Sequence, residues 1–180
     1  MGTIERSVIV ERPVDVVWDV WTDVRLLPEL SQSTTAVTGA PDRLTAPGET
    51  FEQTVRAAGR QVHTTWTVTE IEPADHLTIT GRPAPGVTVE LTEQVEDLGD
   101  QRTRLTLRID YRLPFGPLGA VASRLGVERM ARDEAAALLD RLRAVILDRD
   151  RRGERRQRAP ADQRGPARAD RPGARRAHGR

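Results

Sequence analysis

The sequence predicts an α+β fold in which a curved antiparallel sheet wraps around one long C-terminal helix. A single alternating strand opens the chain at residues 3–12, and a short aromatic amphipathic helix follows at residues 13–21. Several further strands precede a helical pattern that runs from about residue 118 to residue 147. A sheet and a helix that each have one apolar face must cover one another. We therefore expect the function to lie in the space between them.

The opening strand and the first helix are marked by residue parity and by proline. Ile4, Val8 and Val10 share one face of the strand. Pro13 suits the first turn of a helix, where its missing N–H is not needed. Pro28 limits the next helical segment to a short turn at residues 25–30. The remaining strands are predicted at residues 33–38, 49–56, 62–72, 76–81, 87–95 and 103–113.

The last of these strands, residues 103–113, alternates most cleanly. Its odd-numbered residues are mainly apolar, whereas its even-numbered residues include three arginines. Such alternation is typical of a sheet that is covered on one side and exposed to water on the other. The helix after it carries a regular apolar stripe, which predicts the surface that meets the sheet. The stripe is formed by Ala131, Ala135, Leu138, Leu142 and Val145, with Leu139 and Ile146 beside it.

The length of 180 residues suits one domain followed by a tail. The net charge of +1 hides an asymmetry, because residues 149–180 carry 12 arginines against 4 acids, a net of +8, which leaves −7 for residues 1–148. The tail has almost no apolar residue larger than alanine, so it cannot offset the entropy of ordering. The sequence predicts one folded domain over residues 1–148 and a disordered, arginine-rich tail over residues 149–180.

Two interpretations of the tail stay open. Its positive charge could contact nucleic acid or an anionic membrane surface. Alternatively, the chain contains no lysine, which indicates a coding bias towards arginine, alanine, glycine and proline. We favour the bias, since no aromatic residues lie among the arginines to stack on single-stranded nucleic acid.

Composition argues against several classes of site. The absence of cysteine rules out disulfides and thiolate catalysis and argues against structural zinc. The histidines are His63, His76 and His178, and no two have the spacing of metal ligands on a helix, so we expect no metal and no other cofactor. No Gly-x-Ser-x-Gly motif and no phosphate-binding glycine loop is present. With neither an apolar membrane span nor a secretory signal, a cytoplasmic location is the default expectation.

Several short segments follow one another in a specific order, although each is weak alone. They are the first strand leading into residues 13–20 (PVDVVWDV), Thr22-Asp23, Leu27-Pro28-Glu29, residues 68–73 (VTEIEP), residues 103–107 (TRLTL) and residues 115–119 (FGPLG). In this order the chain resembles the START-like, or SRPBCC, superfamily with the helix-grip fold, and within it the polyketide cyclase/dehydrase and lipid-transport branch. The resemblance covers residues 3–148. It departs after Glu29, where many relatives carry a tryptophan and a small polar residue and this chain has Leu30-Ser31.

The resemblance implies a seven-stranded antiparallel sheet that grips the C-terminal helix, with two short helices after the first strand. It also implies a cavity for a hydrophobic small molecule of lipid, polyketide or isoprenoid type. Fold alone does not define function. Candidate ligand-binding residues are therefore chosen from those whose parity or helical position directs them inward. They are Trp21, Phe51, Gln53, Trp66, Val68, Val89, Leu91, Glu93, Ile109, Tyr111 and Leu125.

Glu93 is the candidate with the most chemistry, because it falls on the apolar face of its strand. A carboxyl group in an apolar cavity would have a raised pKa and could act as a general acid or base. Alternatively, Glu93 lies near the end of the strand and reaches water, which we favour on the sequence alone.

The other polar or aromatic candidates also have two interpretations. Gln53 lies inward between apolar neighbours, so its amide either contacts a ligand or pairs with a neighbour. Tyr111 could donate to a ligand carbonyl or simply cap the core with its hydroxyl in water. Trp66 suits a cavity wall or the core, whereas His63 has the opposite parity and is predicted to face solvent.

The leading hypothesis is a non-catalytic binder or carrier of a hydrophobic small molecule, because no acid–base pair stands out in the sequence. The second is a polyketide cyclase or dehydratase that uses Glu93, Tyr111 or Gln53 on a bound chain. The third is an interaction protein that acts through its basic tail. No catalytic residue is assigned, and the sequence predicts neither the ligand nor the oligomeric state.

Overall fold

The computed structural model describes residues 1–57, 59–112 and 120–158, with side chains at 1–57, 59–112, 126 and 128–149. The helices are α1 (Val14–Trp21), α2 (Leu27–Leu30) and α3 (Ala120–Arg158), and a 3-10 turn, Val24–Leu26, joins the first two. The strands are β1 (Gly2–Val10), β2 (Thr34–Thr38), β3 (Thr50–Ala57), β4 (Arg60–Glu72), β5 (His76–Ala84), β6 (Val87–Asp97) and β7 (Thr103–Arg112).

The strands form one antiparallel sheet in the order β1-β7-β6-β5-β4-β3-β2. Consecutive strands from β2 to β7 are neighbours, and β1 closes the other end of the sheet by pairing with β7 from Gly2↔Tyr111 to Val10↔Thr103. This is the seven-stranded, helix-grip architecture that the resemblance implied. The α+β prediction is therefore confirmed, together with the order of its elements.

The predicted faces of the sheet are confirmed most clearly on β7. Leu105 and Leu107 are buried on the inner face. On the outer face the Arg108 Nε donates to Asp110 Oδ2 at 2.7 Å, and Arg104 pairs with Glu96 on the neighbouring strand. These exposed ion pairs contribute little to the free energy of unfolding. The stability of the sheet therefore comes mainly from its inner face.

Helix α3 covers the inner face and packs against β1, α1 and α2. Among the side chains that the structure describes in α3, Ala135, Leu139, Leu142 and Ile146 are buried, and they follow the helical repeat. The sequence placed Leu138 and Val145 in the centre of the stripe, but both are only half-buried. The helix is therefore rotated slightly from the predicted orientation, so that Leu139 and Ile146 are more deeply buried than Leu138 and Val145. The apolar pattern alone does not determine this rotation, because it depends on how the helix packs against the sheet.

The end of α3 also differs from the prediction. The helix continues to Arg158, eleven residues beyond the predicted end at Leu147. Six of these eleven residues are arginines, which have high helix propensity and so favour continuation of the helical backbone. The rest of the predicted tail, residues 159–180, lies outside the described residues, and its role remains a prediction.

The loop between β2 and β3 is held against the sheet by Leu44, whose side chain is only 1% exposed. The backbone N–H of Leu44 donates to the Thr22 carbonyl oxygen at 3.1 Å, just after α1. Arg43 adds an exposed ion pair to Asp19. The loop therefore closes one end of the core beside the two short helices. No helix in the described part of the chain is long and apolar enough to cross a membrane.

Candidate functional site: a cavity between the sheet and the helices

A cavity of about 80 Å³ lies between the inner face of the sheet, the α1–α2 region and α3. Its wall is mainly apolar, with three polar side chains, Asp23, Gln53 and Glu93, and two indole rings among the residues that face it. Among the described side chains, the wall is formed by Trp21, Asp23, Val24, Leu27, Leu30, Phe51, Gln53, Trp66, Ile79, Leu91, Glu93, Leu107 and Leu138.

Phe51 and Trp66 form the aromatic side of the cavity. They lie opposite each other on β3 and β4, and their rings stack with centroids 6.5 Å apart and planes inclined by 21°. Gly81, the partner of Trp66 on β5, makes room for the indole. A Cβ atom at Gly81 would lie 2.8 Å from Trp66 Cε3 and 2.7 Å from Thr64 Cγ2, which is too close for ordinary packing. The glycine thus allows the tryptophan to lie on the sheet.

Glu93 lies in the middle of the apolar side. It is paired across the sheet with Leu77 on β5 and Leu107 on β7, and only 7% of its surface is exposed. Burial disfavours the charged carboxylate and raises the pKa of Glu93 to about 8. The carboxyl is therefore mostly protonated at neutral pH. The favoured sequence interpretation, in which Glu93 reached water at the strand end, is wrong.

Trp21, at the end of α1, faces the Glu93 carboxyl. Its indole N–H lowers the pKa of that carboxyl, but burial raises the pKa by more. The Trp21 Nε1 is itself buried and makes no hydrogen bond of normal geometry within the described residues. Two polar groups thus face each other in the cavity wall with their hydrogen-bonding capacity only partly used.

Gln53, on the aromatic side, has the opposite character because its amide is held by neighbours. Its Oε1 accepts from the Trp66 indole N–H at 2.8 Å, and its Nε2 donates to the Thr34 hydroxyl at 2.8 Å. The Thr34 hydroxyl donates onward to the Ser31 hydroxyl at 2.9 Å. Of the two sequence interpretations of Gln53, pairing with a neighbour is therefore present in the structure.

The chain of hydrogen bonds ends on helix α3. Ser31 donates to Glu134 Oε1, and the Ser33 hydroxyl donates to the same oxygen at 3.0 Å. The backbone N–H of Ser33 adds a longer contact of 3.3 Å. We call the chain from Trp66 through Gln53, Thr34 and Ser31 to Glu134 the polar relay; it ties the cavity wall to the long helix.

An ion pair marks the rim of the cavity. Asp23 accepts from Arg25 Nε at 2.7 Å and from Arg25 Nη2 at 3.1 Å, and Arg25 also donates to Asp42. The hydrogen bonds from Arg25 hold the pKa of Asp23 below its ordinary value. The rim therefore carries a paired charge, whereas Glu93 in the interior is neutral near pH 7.

A family model described as "Polyketide cyclase / dehydrase and lipid transport" matches residues 1–146, which is most of the chain. The chain belongs to this family. The family membership confirms the resemblance seen in the sequence, including its branch. No curated protein matches the chain.

The chain is also similar to solved structures of other proteins. The Zhui aromatase/cyclase of a Streptomyces species is 24% identical, with a TM-score of 0.67 and coverage of 88% of this chain and 96% of that one. A protein of Thermus thermophilus is 16% identical, with a TM-score of 0.68 and coverage of 82% and 98%. A START superfamily protein of Mycobacterium smegmatis is 14% identical, with a TM-score of 0.61 and coverage of 79% and 98%. At these identities the likeness shows the fold alone.

Six of the residues selected from the sequence face the cavity: Trp21, Phe51, Gln53, Trp66, Leu91 and Glu93. Val68 is fully buried in the core beside it, and Val89 and Ile109 are half-buried against the core. These three have the inward parity that the sequence predicted, but they do not line the cavity. The side chain of Leu125 lies outside the described residues.

Tyr111 is placed away from the cavity, at the end of β7. It is buried, and its ring lies against Gly2 on β1, where a Cβ atom would be 2.3 Å from Tyr111 Cζ. Its hydroxyl has no hydrogen-bond partner in the described part of the chain. The position favours a packing role near the end of β7, between β1 and β6, over contact with a ligand in the cavity.

Several residues of the site were not among the sequence candidates. Leu27 and Leu30 of α2 and Leu138 of α3 face the cavity. The sequence showed that these residues lie at apolar positions of helices. It could not show whether an apolar residue lines the cavity or packs in the core, because neighbouring residues in the chain do not differ between the two cases. Leu30-Ser31, the departure from relatives noted above, contributes Leu30 to the wall and Ser31 to the polar relay.

His63 is exposed, as its parity predicted, and its Nδ1 lies 2.9 Å from the Thr54 hydroxyl. Within the ranges described, no three histidine, aspartate or glutamate side chains are grouped as metal ligands. Glu93, Trp21 and Gln53 are polar or hydrogen-bonding side chains that line the cavity. A neutral carboxyl in such a setting can donate a hydrogen bond or deliver a proton.

Proposed function

We propose that the protein binds and carries a hydrophobic small molecule, of lipid, polyketide or isoprenoid type, in the cavity between the sheet and α3. The observation that carries the proposal is the mainly apolar wall with a neutral Glu93 within it. Apolar walls with a few placed polar groups are typical of small-molecule sites. The family description, which includes lipid transport, is compatible with this role.

The buried carboxyl supports a ligand over a purely structural role. Burial of an incompletely paired carboxyl opposes folding, and a hydrophobic residue at position 93 would fill the same space without that penalty. A ligand oxygen that accepts from Glu93 would use the hydrogen-bonding capacity that the protein leaves unused. The apolar part of the ligand would be held by burial against Phe51, Leu91 and Leu138.

The size of the cavity limits how a ligand enters. At about 80 Å³ it is smaller than the roughly 150 Å³ cavity that admits benzene in an engineered protein. A ligand larger than one ring therefore needs wall side chains to move. Leu138 is suited to this, because it is only half-buried on α3 and lies over the cavity.

A cavity-filling variant tests the proposal. The full chain is purified without detergent and examined by native mass spectrometry before and after solvent extraction. Uptake of the neutral fluorescent probe N-phenyl-1-naphthylamine is measured alongside. We expect a discrete added mass, or saturable probe binding, that Leu138→Trp abolishes and Ala144→Trp retains, since Ala144 is exposed on the same helix. No added mass and no probe uptake in the wild type would overturn the proposal.

A second candidate is a polyketide cyclase or dehydratase acting in the same cavity, and Glu93 is the observation that favours it. An acid with a pKa of about 8 can both give and take a proton near neutral pH. The family description also includes cyclase and dehydrase activities. In this case Glu93→Gln would lower the rate of conversion of a bound poly-β-ketone far more than its binding affinity. If Glu93→Gln instead lowers the conversion rate and the binding affinity by the same factor, the result would favour a non-catalytic carrier.

A further inference from the structure

We propose that the arginine-rich end of α3, residues 149–158, docks the protein on an anionic membrane surface with the rim of the cavity turned towards the lipid. We call this segment the basic extension. The choice of a membrane as the partner rests on the proposed function, because a bilayer is where a hydrophobic cargo dissolves. The position of the extension beside the cavity is a property of the fold itself.

One face of α3 runs from the end of α2 back towards the residues that precede it. On this face Glu134 accepts from the Ser31 hydroxyl. Two turns later the Arg141 Nη1 donates to the Leu30 carbonyl oxygen at 3.3 Å. Arg149 follows after about two further turns, so it lies on the same face of the helix. The contacts thus lead along α2 in the direction of the cavity rim.

Arg149 lies beside that rim. Asp23 lines the cavity and accepts from Arg25. The pKa of Asp23 is lowered mainly by the hydrogen bond from Arg25, and the charge of the Arg149 guanidinium adds a smaller effect of the same sign. Attraction between exposed charges is largely screened beyond a Debye length of about 8–10 Å. The basic extension therefore begins close to the rim.

The extension continues past the core of the domain. Ile146 is the last buried side chain described on α3, and Arg149 is exposed. The helical backbone then runs on to Arg158, which at 1.5 Å per residue is about 13 Å further. Residues 150–158 include no apolar residue other than one glycine. They offer no apolar side chain for the interior of a bilayer, so contact with a membrane would be electrostatic and confined to its surface.

Charge is distributed so that the domain and the extension have opposite signs. The extension has six arginines and two acids, a net charge of +4, whereas residues 1–148 have a net charge of −7. A coding bias explains the absence of lysine but not this asymmetry, since acids outnumber arginines by 23 to 16 in residues 1–148. An anionic surface would repel the domain and attract the extension. The protein would therefore approach such a surface with the extension first.

Two features favour a membrane over nucleic acid as the partner. The extension contains no aromatic residue that could stack on bases. It also lies beside an apolar cavity, for which a bilayer and not a nucleic acid would supply the cargo. Each arginine near an anionic leaflet strengthens binding roughly fivefold. Because this attraction involves no insertion, it is readily reversed, as a carrier that leaves with its cargo requires.

Binding of the full chain to vesicles tests the proposal. Vesicles of phosphatidylcholine alone are compared with vesicles that contain about one-third phosphatidylglycerol, by co-sedimentation at about pH 7. The titrations are made at low salt and at about 0.5 M salt, where screening is strong. We expect binding to the anionic vesicles only, weakened at least tenfold at the higher salt.

Two variants remove the same charge from different places. One neutralises four arginines of the basic extension, and the other neutralises four arginines of residues 159–180. Glutamine has a helix propensity close to that of arginine, and far-UV circular dichroism checks that α3 is retained. We expect the first variant to bind anionic vesicles at least tenfold more weakly than the wild type and the second to lose much less. The substitutions are Arg151→Gln, Arg152→Gln, Arg155→Gln and Arg156→Gln in the first, and Arg164→Gln, Arg168→Gln, Arg171→Gln and Arg175→Gln in the second.

Site-specific labels test the orientation on the membrane. The chain contains no cysteine, so a single introduced cysteine carries the only fluorescent label. Asp42→Cys places the label at the rim, where Asp42 accepts from Arg25. Arg60→Cys places it at the turn between β3 and β4, at the other end of β3. We expect anionic vesicles to shield the rim label from quenching by acrylamide and to leave the label at residue 60 accessible.

Three results would overturn the docking proposal. They are equal binding to neutral and anionic vesicles, equal losses in the two four-arginine variants, and equal shielding of the two labels. Tighter binding to a DNA duplex than to vesicles of the same anionic charge would also overturn it, in favour of a nucleic acid. Vesicle binding is measured without a ligand, so it can fail while ligand uptake persists. A docked protein that takes up no ligand would overturn the proposed function alone.

Discussion

The two polar sides of the cavity differ in how completely the protein satisfies them. On one side, the Gln53 amide is held by Trp66 and Thr34, and the polar relay continues to Glu134. On the other side, Glu93 and Trp21 face each other with no complete hydrogen bond, and burial keeps the carboxyl neutral. Burial alone therefore does not define a functional polar group. A satisfied network stabilises the wall, whereas an unsatisfied pair costs stability and is available to a ligand.

The largest expected effect tests the unsatisfied side through pH. The folded protein holds the Glu93 proton up to about pH 8, whereas the unfolded chain loses it near 4.5. The free energy of unfolding should therefore fall as pH rises between these values, by on the order of 5 kcal/mol in total for a shift from 4.5 to about 8. Glu93→Gln cannot ionise and should lose this decline, as measured by urea unfolding across the range.

The control for this experiment is Glu90→Gln, on the exposed face of the same strand. It should retain the decline of the wild type. Parallel pH profiles for wild type and Glu93→Gln would contradict the assignment of a buried, neutral carboxyl.

The next effect tests the satisfied side. Gln53→Leu leaves the buried Trp66 indole N–H without its acceptor, so we expect a loss of about 1–3 kcal/mol in the free energy of unfolding. Adding Trp66→Phe removes the orphaned donor and should recover part of that loss. Additive losses in the double variant would show that the hydrogen bond does not stabilise the wall.

A third variant tests how the aromatic side is shaped. In Gly81→Ala the new methyl group meets Thr64 and the Trp66 ring at less than van der Waals distance. We expect destabilisation of about 1–3 kcal/mol from overpacking and a shift in tryptophan fluorescence as the indole moves. The control is Ala84→Gly, at the exposed end of the same strand, where the side chain lies away from the Trp66 ring. Gly39→Ala is not used as a control, because the positive φ of Gly39 would itself strain an alanine. Unchanged fluorescence would contradict the close approach.

The smallest expected effect lies at the end of the polar relay. Ser33→Ala removes one hydroxyl from Glu134 but leaves the donation from Ser31, so the loss should be about 1 kcal/mol or less. Ser31→Ala interrupts the relay itself and should cost more. Thermal unfolding of the two variants gives the ranking, and a larger loss for Ser33→Ala would reverse the proposed order of importance.

Much of the fold could be predicted because its signals are local. Alternation on β7 identified both faces of the sheet, and Pro13 and Pro28 marked the starts of the two short helices, at the N-cap of α1 and in the first turn of α2. The same parity placed Gln53 and Glu93 inward. It could not show that Gln53 meets Trp66 and Thr34, because those contacts join side chains from three different strands.

The sequence by itself determined the fold class, the strand faces and the family, since periodicity and the order of short motifs are properties of the chain alone. Tertiary structure decided which inward residues reach the cavity, and so separated Leu91 from Val89 on one strand. It also decided that Glu93 is neutral and Gln53 is paired. The physical reason is that a pKa and a hydrogen bond depend on what surrounds a group in space, and here those surroundings come from strands and helices far apart in sequence.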